Sequence, residues 1–148
     1  GPGQQLYRIV PRTILAAMHL PKLSLHGGGA SRRSFIHIGD VVEATFKIAL
    51  NGKIGETYHI STNEDITIYN LVEKICKFLS SNFNDIVSVS KERLAKDEAY
   101  LLDSSKLRNE LNWKECFNIE DGIIETISWV RDNFEIIKNL PLKYEHKL

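Results

Sequence analysis

From Leu6 to Leu20 the apolar positions fall at Leu6, Ile9, Val10, Ile14, Leu15 and Met18, close to the repeat of a helix with one buried face. Pro21 closes this stretch. Pro11, a residue suited to a first helical turn, predicts that the helix starts near it after an irregular lead-in. Leu23-Ser24-Leu25-His26 alternates and predicts a short strand, ended by Gly27-Gly28-Gly29. Ser34 to Ile38 predicts the next strand. Asp40, with Glu43 three residues on, predicts a capping box at the head of a helix to Leu50, and Asn51-Gly52 stops it. Glu56 to Ile60 predicts another strand.

Thr67 predicts the cap of a helix through Ser80, with Leu71, Val72, Ile75, Cys76 and Leu79 on its buried face. Ile86 to Val89 predicts a short strand, and Asp103-Ser104 opens a short helix that ends near Leu111-Asn112. Asn118 caps a long amphipathic helix that turns Ile123, Ile124, Ile127, Val130, Phe134 and Ile137 inward. The polar tail from Pro141 to Leu148 is expected to fray. Helices and strands mix without repeats and without a linker. The fold class expected is therefore mixed α/β (α+β), with residues 1–148 as one domain.

Charge narrows the function. Nineteen basic and nineteen acidic side chains cancel, where a nucleic-acid binder would carry a basic excess. An anion site, if present, must be local and built from a few arginines. No apolar run is long enough to span a bilayer, so no membrane partner is expected and the cytoplasm is the expected location. The opening Gly1-Pro2-Gly3-Gln4-Gln5 lacks a leading methionine and reads as a tag remnant or the middle of a longer chain.

The segment from Gly27 to Ala44 carries the most chemistry. A glycine turn delivers Arg32 and Arg33 into an extended stretch, and a guanidinium offers phosphate oxygens a planar fork of donors. Adjacent residues on a strand point to opposite faces, so one arginine enters a given site and the other stays in solvent. The glycines do not form a dinucleotide loop, because their spacing is not G-x-G-x-x-G and a strand-like run follows them. His37 and His59 lie in strand patterns and read as hydrogen-bonded core histidines. No histidine has zinc spacing, so no metal is expected. Cys76 sits at helical spacing among apolar residues and reads as a buried thiol. Cys76 and Cys116 together make no disulfide framework. Arg93, in a polar loop, reads by itself as a solvated charge.

Taken in order, the motifs resemble the C-terminal part of the NAD-dependent nucleotide-sugar epimerase/dehydratase family, the extended short-chain dehydrogenases. Within it they are most similar to the nucleoside-diphosphate-glucose 4,6-dehydratases. Gly1-Pro2-Gly3-Gln4 resembles the end of the family's Asn-x-Tyr-Gly-Pro segment, and Val10-Pro11-Arg12-Thr13-Ile14 its Pro-led helix. Leu23 to Gly29 resembles its Leu-Pro-Val-Tyr-Gly-x-Gly strand and turn. Arg33-Ser34-Phe35-Ile36-His37-Ile38-Gly39-Asp40-Val41 resembles the arginine-led segment that follows. Gly55-Glu56-Thr57-Tyr58-His59-Ile60, Arg93-Leu94-Ala95-Lys96-Asp97, the run from Tyr100 to Leu107, and Leu111-Asn112-Trp113-Lys114 complete the order. The departures are Ser24 for a usual proline, His26 for tyrosine, His59 for asparagine, and Leu94-Ala95 for Pro-Gly; they bear on the nucleotide more than on the family.

The resemblance implies a substrate-binding portion of a longer enzyme, without the Rossmann half. That half would hold NAD and the catalytic Tyr-x-x-x-Lys, so no catalytic residue is expected in this chain, and no cofactor for the chain alone. The parent reaction would oxidise sugar C4, lose water across C5 and C6, and return hydride to C6 of a dTDP- or UDP-linked glucose. A same-family epimerase or decarboxylase, or a non-catalytic sugar-nucleotide-binding module, is the alternative. The resemblance places Arg33 on the pyrophosphate with Arg93 opposite and Arg8 near the diphosphate. Leu25 and His26 would flank the base, and Asn63 would meet ribose or phosphate. The partners implied are the nucleoside diphosphate sugar, the Rossmann half, and a second copy in a homodimer.

Overall fold

The computed structural model describes residues 1–18, 21–90, 97–142 and 144. The fold is a mixed α/β arrangement organised around one short helix. Helix α1 (Ile9–Ala17) packs against α3 (Ile68–Phe78) on one side and α6 (Ile119–Asp132) on the other. Its Val10, Ile14 and Leu15 interleave with Leu71 and Ile75 of α3 and with Ile123, Ile127 and Val130 of α6. Ile14, Leu71 and Ile75 are fully buried, and removing such side chains from water stabilises a fold by about 1.5–3 kcal/mol each. The periodicity therefore names the core helices correctly, except that Ile124, expected inward on α6, is half exposed. Thr67 caps α3 by accepting from the Asn70 N–H, and Asn118 caps α6 by accepting from the Asp121 N–H.

Among the described residues five short strands lie beside this helical layer. Strand β1 (Leu23–His26) runs parallel to β4 (Val87–Ser90), which follows the single-turn helix α4 (Phe83–Ile86). Leu23, Leu25 and Val87 bury one side of this pair against Val72 and Cys76 of α3. Burial raises the pKa of the Cys76 thiol, as the buried-thiol reading implies. Strand β2 (Arg32–Arg33) is central to a second sheet, antiparallel to β3 (Ile66–Thr67) and parallel to β5 (Ala99–Tyr100). A third apolar cluster joins Ala44 of helix α2 (Ile38–Asn51) to Leu107 of α5 (Ser105–Leu111) and to Trp113.

The turn between β1 and β2 needs glycine for a specific reason. Gly29 has a φ of +78°, and a Cβ there would lie 2.8 Å from the Tyr69 backbone nitrogen and 2.9 Å from Leu25 Cδ2. The turn thus seats directly on the first residues of α3. Ser31 O, just beyond it, accepts from the Ile68 N–H at 3.0 Å.

Several expectations are corrected. The strand expected over Ser34–Ile38 is confined to Arg32–Arg33, because His37 ends the extended stretch as the N-cap of α2. The His37 ring accepts from the Gly39 N–H, so the helix begins two residues before Asp40. Asp40 is consequently not a cap. It is buried at 3% exposure and accepts from the backbone N–H of Cys116 at 2.8 Å and of Phe117 at 3.2 Å. Residues 56–60 have no strand partner among the described residues. They are held instead by side chains: Lys106 Nζ donates to Glu56 Oε2 and to Thr57 O, and Tyr58 OH donates to Glu110. His59 is exposed there and is no core histidine. His37 is one: its side chain is 7% exposed, with Nε2 facing Glu125 Oε2 at 2.6 Å. Helix α1 starts at Ile9, ahead of Pro11. The long C-terminal helix breaks at Asn133, whose side-chain amide donates to Trp129 O, and Phe134–Ile137 form a separate turn, α7. The expected fraying of the tail falls largely on residues outside those described.

Asp40→Ala is expected to lower stability by about 2–3 kcal/mol, because two backbone donors lose a charged acceptor inside the protein. Asp40→Asn, which keeps one acceptor oxygen, should recover part of the loss. Urea unfolding of the three proteins checks both, and an unchanged midpoint for Asp40→Ala would contradict this account.

Candidate functional site

The segment from His26 to Arg33 brings the ends of both sheets together. His26 closes β1, the glycine turn follows, and Arg33 stands on β2 seven residues later. Arg33 Nη1 donates to Arg32 O at 2.6 Å, and Nη2 donates to Asp97 O at 3.1 Å. Two of the five guanidinium N–H groups are thus used on main-chain carbonyls, which fixes the plane of the fork. Arg32 points elsewhere: it pairs with Asp65 at 2.5 Å, and its side chain is half exposed. Strand alternation therefore separates the two side chains as expected, and of the two only the Arg33 side chain bonds the chain that enters β5, at Asp97 O.

Asn63 stands three residues before β3, in the loop that also holds Asp65. That loop is tied down from below by Arg108. Its Nη1 donates to Glu115 at 2.5 Å, Nη2 to Ser61 O at 3.0 Å, and Nε to Ser104 Oγ at 3.0 Å. The guanidinium also lies over the Trp113 ring, 4.9 Å from its centre. The hydrogen bond from Arg108 holds the Glu115 pKa below its ordinary value, with a smaller contribution from the backbone of Asn63. Sequence reasoning missed this network. The signal was a buried-side arginine on the short helix with a carboxylate seven residues on, a spacing that no helical rule pairs.

Leu25 is buried on the inner side of β1, and His26 is half-buried on the outer side, so the two side chains lie on opposite faces of the strand. Arg8 is exposed at the N-cap of α1 and lies over the Tyr7 ring at 5.4 Å. No contact joins Arg8 to the Arg33 region among the described residues. Arg93 lies outside the described residues, which stop at Ser90 beside His26 and resume at Asp97 beside Arg33. Phe35 lines a cavity of about 260 Å³ with Ile66, Lys74, Cys116 and Glu120, next to the Asp40 anchor. Lys74 and Glu120 pair across it. Among the described residues no group of three His, Cys, Asp or Glu side chains is placed to hold a metal, and no helix is long and apolar enough to cross a membrane. The glycine turn does not fit a dinucleotide: it forms one tight turn that leads into β2, with no helix N-terminus behind it to receive a pyrophosphate.

This order of elements has close parallels. Residues 2–126 match the sequence profile of GDP-mannose 4,6 dehydratase. The chain belongs to that family, within the NAD-dependent epimerase/dehydratases. It is 32% identical over 144 residues to the dTDP-D-glucose 4,6-dehydratase of Mus musculus, covering 94% of this chain and 40% of that protein. It is 33% identical over 135 residues to the trifunctional UDP-glucose 4,6-dehydratase/UDP-4-keto-6-deoxy-D-glucose 3,5-epimerase/UDP-4-keto-L-rhamnose-reductase of Arabidopsis thaliana, covering 91% of this chain and 20% of that one. Among solved structures, the dTDP-glucose 4,6-dehydratase of Bacillus anthracis in complex with NAD superposes with a TM-score of 0.84 at 29% identity, over 91% of this chain and 42% of that chain. The Bordetella bronchiseptica enzyme WbmF in complex with NAD⁺ and UDP superposes at 0.76 and 27% identity, over 93% and 44%. The chain thus spans about two fifths of the length of the dTDP-glucose dehydratases it matches.

The lowered pKa of Glu115 fixes the sign of a pH effect. A carboxylate whose folded pKa is depressed stabilises the fold above its unfolded pKa, and that contribution is lost as pH falls through the folded value. Stability is therefore expected to decline as pH falls below the ordinary glutamate range of about 4.3, and Glu115→Gln should flatten this decline while lowering stability at neutral pH. Urea midpoints across that range check it; parallel curves for the two proteins would remove Glu115 from the account.

Proposed function

We propose that this chain is the substrate-gripping part of a nucleotide-sugar 4,6-dehydratase acting on a dTDP- or UDP-linked glucose. The observation that carries the reading is the Arg33 guanidinium, held in a fixed plane on a strand between the loop of Asn63 and the end of the segment that contains Arg93. In this reading Arg33 and Arg93 neutralise the pyrophosphate, Asn63 meets the ribose or a phosphate oxygen, and Leu25 backs the base site while His26 faces it. Arg8 contributes at longer range. The role is positioning: a diphosphate fixed at two or more points holds the glucose ring still while bonds at C4, C5 and C6 change. The relatives' NAD supplies the hydride chemistry, and that work is assigned to the portion of the longer relatives that this chain does not span.

The partner implied is that remaining Rossmann portion. Helix α2 supports this, because one stripe of its apolar residues faces away from the protein while Ala44 and Ile48 pack inward. Ile38, Val42, Phe46 and Leu50 recur every four residues at 51%, 61%, 64% and 65% exposure, and Ile54 beyond them is fully exposed. A stripe of this kind marks an interface. Residues 56–60, without a ladder partner among the described residues, follow it in sequence.

Two measurements test the reading. In the full-length enzyme that carries this chain, Arg33→Ala is expected to weaken UDP- or dTDP-glucose binding by about 1.5–3 kcal/mol, the range for a hydrogen bond to a charged group. Arg33→Lys should restore only part, since an ammonium lacks the fork, and Arg32→Ala should cost much less. A silent Arg33→Ala beside a damaging Arg32→Ala would defeat the site. For the partner face, the chain alone is expected to self-associate in sedimentation and to bind an apolar-surface dye. The double change Val42→Glu and Phe46→Lys should suppress both, and a monodisperse, dye-negative parent chain would refute the interface.

A further inference from the structure

The loop from Ser61 to Asp65 is held at both ends and bridged in the middle. At its start, the carbonyl of buried Ser61 accepts from Ser104 Oγ at 2.9 Å and from Arg108 Nη2 at 3.0 Å. At its end, Asp65 accepts from Arg32 Nε at 2.5 Å, and Ile66 just beyond pairs with Arg33 across the sheet. Between these anchors Thr62 Oγ1 donates to Glu64 O at 2.8 Å, a bond that spans Asn63. Asn63 is exposed, and its side chain takes part in none of these bonds. Arg108 is fixed in turn by Glu115, 2.5 Å from Nη1, with side chains only 17% and 21% exposed. A pair shielded to this degree is screened by salt much less than a surface pair. The main chain of Asn63 also helps to hold the Glu115 carboxylate ionised, as a facing N–H does. A loop fixed at three points around one free amide is pre-organised to present that amide.

We propose that Arg108 and Glu115 are positioning residues that act through Asn63: the pair fixes the loop so that the Asn63 amide meets the nucleoside diphosphate without further ordering. The proposal rests on the nucleotide-sugar reading above and adds to it two residues that need no contact with the ligand. Without the pair, Ser61 O keeps only the Ser104 hydroxyl, and the loop must be ordered when the ligand binds. That loss of affinity passes through Asn63 alone, because Arg33 is held separately by Arg32 O and Asp97 O.

The test is a double-mutant cycle in the full-length enzyme that carries this chain, read as dissociation constants for dTDP and UDP by calorimetry. Asn63→Ala is expected to weaken the better-bound nucleotide. Glu115→Ala should weaken it about three- to tenfold, the scale of ordering a side chain on binding. In the Asn63→Ala background Glu115→Ala should then add nothing, whereas in the Arg33→Ala background it should show its full factor. Arg108→Gln should repeat this pattern. A merely structural role would give the same factor in every background. Should Glu115→Ala fail to fold, Glu115→Gln, which keeps an acceptor oxygen and loses the charge, takes its place in the cycle and should show the same pattern at reduced size. A silent Asn63→Ala, an unchanged affinity on changing Glu115, or a loss that persists in full beside Asn63→Ala would overturn the proposal and leave the nucleotide-sugar reading standing. Failure of the wild-type enzyme to bind either nucleotide would overturn that reading and the proposal with it.

Discussion

The close approach of the Gly29 backbone to the first turn of α3 is the contact on which the site depends. It leaves no room for a side chain, with the Tyr69 nitrogen 2.8 Å from where a Cβ would be. Through this seat the end of β1 and the start of β2 are referred to the same rigid body. His26 and Arg33 belong to two separate sheets, and no ladder joins those sheets among the described residues. Their relative position is fixed by α3, whose buried face belongs to the helical core with α1 and α6. Neither sheet is large enough to hold itself, since two or three short strands are marginal in water without a helix to pack on. The helical layer is the structural element, and the strands are its attachments.

A second set of anchors works from the opposite side. Asp40 holds residues 116–117, and Arg108 holds residue 61 and Glu115, so the chain around Asn63 is pinned between α5 and the lead-in to α6. Both anchors are charged groups spent on main-chain atoms or on a half-buried partner. Such groups are costly to leave unpaired, which gives the connecting loops a defined path that apolar packing alone would not specify.

The helices were legible because their signal is long. Leu71, Val72, Ile75 and Cys76 recur at helical spacing within the roughly three turns of α3, and Thr67 and Asn118 announce their starts in the chemistry of their own side chains. The strands were less so. Ser34–Ile38 has the composition of a strand, yet its extended run ends at His37, which caps the next helix through a ring nitrogen; a histidine in that role has no strong sequence signature. Asp40-x-x-Glu43 matches a capping box, but the carboxylate is claimed by backbone 76 residues away, a tertiary contact that no local pattern encodes. The candidate site was legible as a set of residue types, through Arg33 and the glycine turn. Its finer arrangement was not: the Ser90 hydroxyl beside His26 comes from a strand 64 residues further along the chain.

That separation has a consequence for how the chain reaches its structure. The β1–β4 pairing closes a loop that contains α2, α3 and α4, so the flexible length to be closed is set by whether those helices are already formed. With α3 folded against α1, the ends of the loop are brought near each other before any strand hydrogen bond is made. The entropy of closure is then charged to the helical core, and the polar face of the small sheet forms as a by-product of a collapse driven by leucine and isoleucine elsewhere. A sheet assembled in this way has little cooperativity of its own, and its persistence tracks that of the helix beneath it.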